Sequence, residues 1–351
     1  MRTQRIILCG FGRVGRAFAR LLHERRALLQ THYGLELDLV AVVDSGGAAL
    51  APRGLPMIPP NELLAHVETG GTVEDFGGFG MPGATGEAVI DSAEADLVVE
   101  ATPTNLTTGE PGLRHMRAAL SRGLHVIAAN NGPLVLGYAE LQELSQQHQG
   151  QICMSAATGA ALPTLDVGQI SLAGATILRI EGILNGTTNF ILTKMQDEGC
   201  PYLDALQEAQ ALGITETDPT LDVEGFDTAT KLILLSNVLL GTKYGLSHVT
   251  RHGITHITPA MVMDVRRAGK HLKLIGRADP SHGTVRLSVA PEELALDHPL
   301  ASVHGAEIAV TYETDSMGRI SVIGSHCSPA AAAATLLKDI INLGRSTGQV
   351  P

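Results

Sequence analysis

Ile6-Ile7-Leu8-Cys9-Gly10-Phe11-Gly12-Arg13-Val14-Gly15 is the stretch on which the fold turns. Its four leading apolar residues are too few for a helix and are stopped by glycine, so they read as a buried strand. Residues 13–29 then carry Val14, Ala17, Phe18, Leu21 and Leu22 on one helical face. Between strand and helix lies G-x-G-x-x-G, in the order that a dinucleotide pyrophosphate requires. The first glycine makes the tight turn, the second lets the anion approach the backbone, and the third lets helix and strand touch. The helix N-terminus supplies oriented N–H groups. Gly10, Phe11, Gly12, Arg13, Val14 and Gly15 are thus cofactor-binding candidates.

Further short apolar runs follow at 39–43, 97–100 and 125–128, with helical periodicity between them, including 111–122 after a Gly-Glu-Pro turn. Strand and helix in alternation build a parallel sheet with right-handed crossovers, so the expected class is α/β with a Rossmann-type doubly wound sheet. Asp44 ends the second run, further from Gly10 than the usual spacing of about 20 residues. A long helix and an insertion over 31–38 account for the distance. A carboxylate there accepts hydrogen bonds from both ribose hydroxyls and repels a 2′-phosphate, which favours NAD over NADP, while Arg53 is a cation that weakens that preference. The glycine-rich segment 70–86 has no period and reads as a surface loop.

The chain has 351 residues, 44% hydrophobic and 17% charged, enough for about two domains with cores of their own. A net charge of -11 and 3% aromatic residues without tryptophan exclude a phosphate-coating, base-stacking nucleic-acid binder. No apolar run approaches the roughly 20 residues of a membrane helix, and the first strand begins without a signal pattern, so a cytoplasmic protein is expected. Cys9, Cys153, Cys200 and Cys327 lie far apart and form no CxxC pair. Neither a disulfide framework nor a metal site is expected from them. His248, His252 and His256 recur at helical spacing, but Gly, Thr and Pro neighbours argue against a stable helix to present them.

After a helix over 137–149 the pattern changes. Small apolar residues at 152–163 precede a strand at 177–184, helices at 190–197, 202–212 and 226–240, and strands at 285–289, 307–312 and 320–323. The expected division is a nucleotide domain over 1–150, completed by a C-terminal helix within 325–351, and an α+β second domain over 151–324. Within the second part, a strand breaks at Asn185-Gly186 and a helix restarts at Thr187-Thr188-Asn189. The loop that follows gathers five carboxylates before Lys231, which stands four residues after Asp227 on one helical face. Such a pair is either a surface ion pair or a proton-handling lysine among carboxylates that hold a substrate ammonium.

Taken together, GFGRVG (10–15), ATPTNLTTGEPGLRHMRAALSRGLHVIAANNGPL (101–134), GILNGTTNFIL (182–192) and LGITETDPTLDVEGFDTATK (212–231) resemble homoserine dehydrogenase over nearly the whole chain, in the short form without a C-terminal regulatory domain. The resemblance implies NAD(P)-dependent interconversion of L-homoserine and L-aspartate 4-semialdehyde in threonine and methionine biosynthesis. It also implies a homodimer built through the second domain. By position, Glu216 and Asp222 hold the substrate ammonium, Gly186 and Thr187 line the nicotinamide and substrate site, and Asp227 with Lys231 is the central pair, Lys231 moving the proton. Thr102, Pro103 and Asn130 fall on the cofactor side, and Asn131 on the substrate side. Three positions depart from the family. Asn131 replaces a lysine by an amide that donates a hydrogen bond but carries no charge. His326-Cys327-Ser328 stands where a Gly-Ala-Gly approaches the cofactor. Ser155 stands where relatives that bind a monovalent cation have Glu. These departures leave open a dehydrogenase with a changed small substrate, or an NAD-binding sensor with little catalysis.

Overall fold

The computed structural model describes residues 2–52, 57–215, 217–281, 283–324 and 328–346. It divides into two compact units, Met1–Ala160 with Ser328–Pro351, and Ala161–Cys327.

The first unit is built on a seven-stranded sheet of β1 (Arg2–Cys9), β2 (Leu35–Val43), β3 (Gly47–Leu50), β4 (Gly80–Pro82), β5 (Leu97–Glu100), β6 (His125–Ala128) and β7 (Ile152–Cys153), in the order β4-β3-β2-β1-β5-β6-β7. The five strands from β2 to β7 in that order are parallel, while β3 and β4 add an antiparallel edge. Residues 6–9 are wholly buried, because helices cover both faces of a doubly wound sheet and leave no polar side for alternation. Two details differ from the sequence expectation. Residues 31–38 extend the two elements they join: the helix Arg13–Tyr33 runs a turn further than its apolar stripe, Gly34 ends it at φ 59°, and β2 begins at Leu35. Segment 70–86 is not all loop, since Gly80–Pro82 pairs with β3. Its side chains are exposed, so no hydrophobic alternation marked it as a strand.

The helix Pro329–Ser346 belongs to this unit. Ala333, Leu336, Leu337, Ile340 and Leu343 recur every three or four residues and enter the same core as Ile6, Leu8, Phe11 and Phe18.

The second unit carries a six-stranded sheet of β8 (Ile177–Ile183), β9 (Val249–Arg251), β10 (Lys270–Ser281), β11 (Thr284–Ala295), β12 (Ile308–Thr314) and β13 (Arg319–Gly324), ordered β13-β12-β8-β10-β11-β9. All its pairings are antiparallel except β9 with β11. The helix Phe226–Leu239 is buried along Thr228 to Asn237, with Leu232 to Leu235 as its apolar centre and Thr228, Thr230, Lys231, Ser236 and Asn237 as its buried polar residues. The helix Gly186–Glu198 follows β8 directly, and its first residue must be glycine because a Cβ there would fall 2.7 Å from the Ala306 carbonyl oxygen. No described helix is long and apolar enough to cross a membrane.

Candidate active site

In the first unit the glycine loop has the shape that its sequence foretold. Gly10 has φ 96°, and a Cβ there would lie 2.5 Å from the Ala101 carbonyl oxygen and 2.7 Å from Thr102 N. A Cβ on Gly15 would lie 2.0 Å from the Gly10 oxygen, so helix and loop touch as the third glycine requires. At Gly12 a Cβ would meet nothing within 4 Å. That open position stands at the N-terminus of a 21-residue helix with no side-chain cap, whose first-turn N–H groups lack intrahelical acceptors. The cradle therefore fits a pyrophosphate. Phe11 offers only backbone to it, since its side chain is 1% exposed in the core, while Arg16 Nε donates to the Phe11 carbonyl oxygen at 2.9 Å. Asp44 is exposed at the tip of the β2–β3 hairpin, where its backbone N donates to Gly47 O at 2.8 Å and its Oδ1 accepts from Ser45 N at 2.7 Å.

Thr102, Pro103, Asn130 and Asn131 are brought together beyond the ends of β5 and β6. Asn130 Nδ2 donates to Thr102 Oγ1 at 3.1 Å and to Pro103 O at 3.3 Å. The Thr104 hydroxyl reaches Asn130 Oδ1 at 3.2 Å and Asn131 Oδ1 at 3.3 Å. Asn131 is buried at the start of the helix Asn131–Leu136, which Asn130 caps through Gly132 N at 3.2 Å. Beneath them lies Glu100, fully buried, paired with His115. Sequence reading missed both, although a carboxylate ending an apolar strand is a visible signal. Among the described residues, one group of His, Cys, Asp or Glu brings ligand atoms within 4.8 Å of one another, and it is Cys9, Glu100 and His115.

In the second unit, Asn185 organises the carboxylates. Its Oδ1 caps the following helix by accepting from Thr188 N at 2.9 Å, and its Nδ2 donates to Asp222 Oδ1 at 2.7 Å and Asp227 Oδ2 at 2.9 Å. Asp222 Oδ2 accepts from the hydroxyls of Thr187 at 2.9 Å and Thr215 at 3.0 Å. Lys231 Nζ donates to Asp227 Oδ2 at 2.6 Å and to the Leu184 carbonyl oxygen at 2.9 Å, at the point where β8 ends. With the Lys231 side chain 11% exposed and that of Asp227 22%, this is not a surface ion pair. Burial, and then the neighbouring Asp227 charge, push the Asp222 carboxyl above its ordinary value against the lowering effect of its three hydrogen-bond donors. Gly186, Thr187, Asp222, Asp227 and Lys231 are thus gathered in one place. Glu216, Arg53, His326 and Cys327 lie outside the described residues. Asn185 and Thr215 were not assigned from sequence; the cap three residues before Thr188 was the available signal for the first.

His248, His252 and His256 do not share a helix: His248 closes a 3₁₀ turn, and the strand Val249–Arg251 follows. Ser155 N donates to the buried Asp339 Oδ2 at 3.1 Å, so a carboxylate from the C-terminal helix stands beside that position.

Two family models match the chain: "Homoserine dehydrogenase, NAD binding domain" over residues 10–155 and "Homoserine dehydrogenase" over residues 163–341. A homoserine dehydrogenase of Methanocaldococcus jannaschii is 38% identical, with 97% of this chain and 99% of that protein covered. An NAD(+)-dependent homoserine dehydrogenase of Pseudomonas canavaninivorans is 36% identical over 99% of this chain and 97% of its own length. The crystal structure of a putative homoserine dehydrogenase from Archaeoglobus fulgidus superposes with a TM-score of 0.85 at 31% identity, covering 97% and 99% of the two chains. With a dinucleotide cradle in one unit, a buried lysine–carboxylate group in the other and relatives matched end to end, the chain belongs to the homoserine dehydrogenase family of NAD(P)-dependent oxidoreductases acting on a CH–OH group.

Proposed function

We propose that this protein interconverts L-aspartate 4-semialdehyde and L-homoserine with NAD as its redox partner, Lys231 moving the proton. The observation that carries the reading is the buried Lys231–Asp227 pair, tied through Asn185 to Asp222. When bound, the reduced nicotinamide supplies a hydride to the aldehyde carbon. The oxygen of that carbonyl then needs a proton, and an ammonium held by Asp227 and the Leu184 carbonyl is a placed donor for it; in the reverse direction the neutral amine takes the proton back from the alcohol. Asp222, together with Glu216, is a counter-charge for the substrate ammonium, and the hydroxyls of Thr187 and Thr215 keep the Asp222 carboxylate oriented. Gly10 to Gly15 hold the pyrophosphate, Asp44 the adenosine ribose, and Thr102, Pro103 and Asn130 the nicotinamide end. A homodimer formed through the second unit, working in the cytoplasm, completes the reading.

The test is NADH consumption with L-aspartate 4-semialdehyde, run beside NADPH and beside Lys231→Ala and Asn131→Lys. Turnover by the wild-type protein that is lost in Lys231→Ala supports the assignment; a near-native rate in Lys231→Ala removes Lys231 from it. One observation favours a second reading. Asn131 is a buried neutral amide, engaged by the Thr104 hydroxyl, at the position where the family has a charged lysine. A wild-type protein inactive on the semialdehyde but rescued by Asn131→Lys would point to a small hydroxy acid or amino alcohol of different charge, to be found in a substrate panel. Sedimentation of the purified protein at several concentrations tests the dimer.

A further inference from the structure

Glu100 is a carboxylate with 0% exposure at the end of β5, and the chemistry above makes no use of it. Its Oε1 accepts from Thr102 N at 2.9 Å, from the Thr102 hydroxyl, and from Asn130 Nδ2 at 3.5 Å. Its Oε2 is hydrogen-bonded to His115 Nδ1 at 2.8 Å. His115 is 3% exposed, and a Cβ on Gly86 would fall 2.0 Å from its Nε2, so the ring is walled in against a backbone that only glycine permits. Cys9 completes the group, its thiol pushed well above the ordinary range by burial and then by the Glu100 charge. Sulfur, nitrogen and oxygen together are a donor set that a divalent transition metal accepts. Yet both carboxylate oxygens are already engaged by N–H and O–H donors and by the imidazole. Hydrogen bonding therefore accounts for this buried acid without an ion.

What distinguishes the pair is what it holds. The Ala101–Thr102 backbone that Glu100 anchors is the surface on which Gly10 packs, with 2.5 Å separating a Gly10 Cβ from the Ala101 oxygen. Asn130, touched by the same carboxylate, caps the helix Asn131–Leu136 and shares the Thr104 hydroxyl with Asn131. One buried acid thus ties the glycine loop, segment 101–104 and segment 130–132 to the helix Gly112–Ser121, which carries His115.

We propose that Glu100, oriented by His115, is a positioning residue for the dinucleotide, setting segment 101–104 and Asn130 at the depth where they meet its nicotinamide end. The proposal rests on the reading that this unit binds NAD. Bonds to an ionised acceptor are roughly twice as strong as neutral ones, so Gln at position 100 weakens the arrangement and Ala removes it. Ala also strands several buried donors.

The experiment titrates NADH into the wild type, Glu100→Gln, Glu100→Ala, Thr102→Val and the Glu100→Gln/Thr102→Val pair, reading fluorescence, with Tm and steady-state constants alongside. The expected order of Kd is wild type, then Gln, then Ala, with Ala raised about 10- to 100-fold. kcat falls in the same order, because an error of about 1 Å in placement costs on the order of 10²-fold. The Gln and Val effects are expected to be non-additive, the double variant binding no worse than the weaker single one, since both break one bond chain. NADH binding at wild-type affinity in Glu100→Gln and Glu100→Ala, with only Tm lowered, overturns the proposal, as does strict multiplication of the Gln and Val effects. If Glu100→Ala does not fold, the Gln and Val cycle decides. Wild-type protein that fails to bind NADH overturns the NAD reading and this proposal together. Wild-type protein that binds NADH but leaves the semialdehyde untouched overturns the substrate reading alone.

Discussion

Lys231 stands among ten consecutive buried helical residues, where Asp227 and a carbonyl oxygen receive its ammonium. Lys231→Ala is expected to lower kcat by about 10²- to 10⁴-fold with a smaller change in KM, the signature of an interaction used in the transition state. Lys231→Arg separates charge from proton transfer: a guanidinium keeps the charge but does not release its proton near neutral pH, so it should restore little turnover. Asp222 gives a prediction with a sign. Its carboxyl is held above its ordinary value in the fold, so the folded chain binds more protons than the unfolded chain between the two values. Its contribution to stability is therefore greatest at low pH and is lost as pH rises through that window. Asp222→Asn, which stays neutral, should raise Tm near pH 7, with the gain shrinking as the pH falls into the carboxylate range, while activity drops. A Tm difference that does not vary with pH would contradict this. The residue types at 222, 227 and 231 were legible in the sequence because helical spacing and carboxylate density are local properties. Asn185 bonding acids 37 and 42 positions away was not, because only the fold brings the end of β8 to the turn Thr220–Val223 and to the start of the helix Phe226–Leu239.

The β2–β3 hairpin shows the same limit one level up. The parallel strands β1, β2, β5 and β6 were readable as apolar runs, since burial on both faces writes itself into composition. The strands β3 and β4 pair through backbone, and the side chains of β4 are exposed, so the pattern carries no trace of it. Asp44, proposed to hold the ribose, stands at that edge, its backbone N bonded to Gly47 O at the hairpin turn. Asp44→Ala is expected to leave the fold intact and to raise the Kd for NADH about tenfold or more, as loss of charge-assisted bonds to a ribose would. The NADPH-to-NADH ratio should rise at the same time. Unchanged NADH affinity in a calorimetric titration would mean that the ribose is held elsewhere. Within the second unit, β10 carries Lys273, 1% exposed, whose Nζ donates to Asn189 Oδ1 at 3.0 Å, Thr193 Oγ1 at 3.2 Å and Val303 O at 2.6 Å. Burial pushes its ammonium down to about 8. Unfolding above that value takes up a proton, so this lysine opposes folding most below pH 8 and progressively less as pH rises toward the ordinary lysine range. The stability of Lys273→Met relative to wild type should accordingly fall between pH 8 and 10, as read by urea midpoints.

At the scale of the whole chain, the first unit is assembled from both ends of the sequence. Alternating strands and helices made the order of its parallel strands β1, β2, β5 and β6 readable. The return of the last helix to it rests on an amphipathic stripe whose partner no local pattern names. In the structure that stripe enters the core shared with β1: Ile340 is 0% exposed, and Asp339 meets Ser155 N. Ile340→Ala removes buried methylenes and leaves a cavity, an effect of about 2–5 kcal/mol, or roughly 5–15 °C in Tm. Because the helix shares its unit with the glycine loop, a ligand bound there is linked to the same unfolding equilibrium. NADH at about 100 times its Kd adds about 2.7 kcal/mol to whatever unit it binds. Ile340→Ala should therefore melt early without cofactor, recover most of the loss in saturating NADH, and bind NADH with near-native affinity below its melting range. The matched control is Leu232→Ala, equally buried at 0% but in the second unit. In a calorimetric scan its transition should move less with NADH than that of Ile340→Ala. Equal protection of the two variants would mean that the units unfold as one, and protection of Leu232→Ala alone would put the dinucleotide in the other unit.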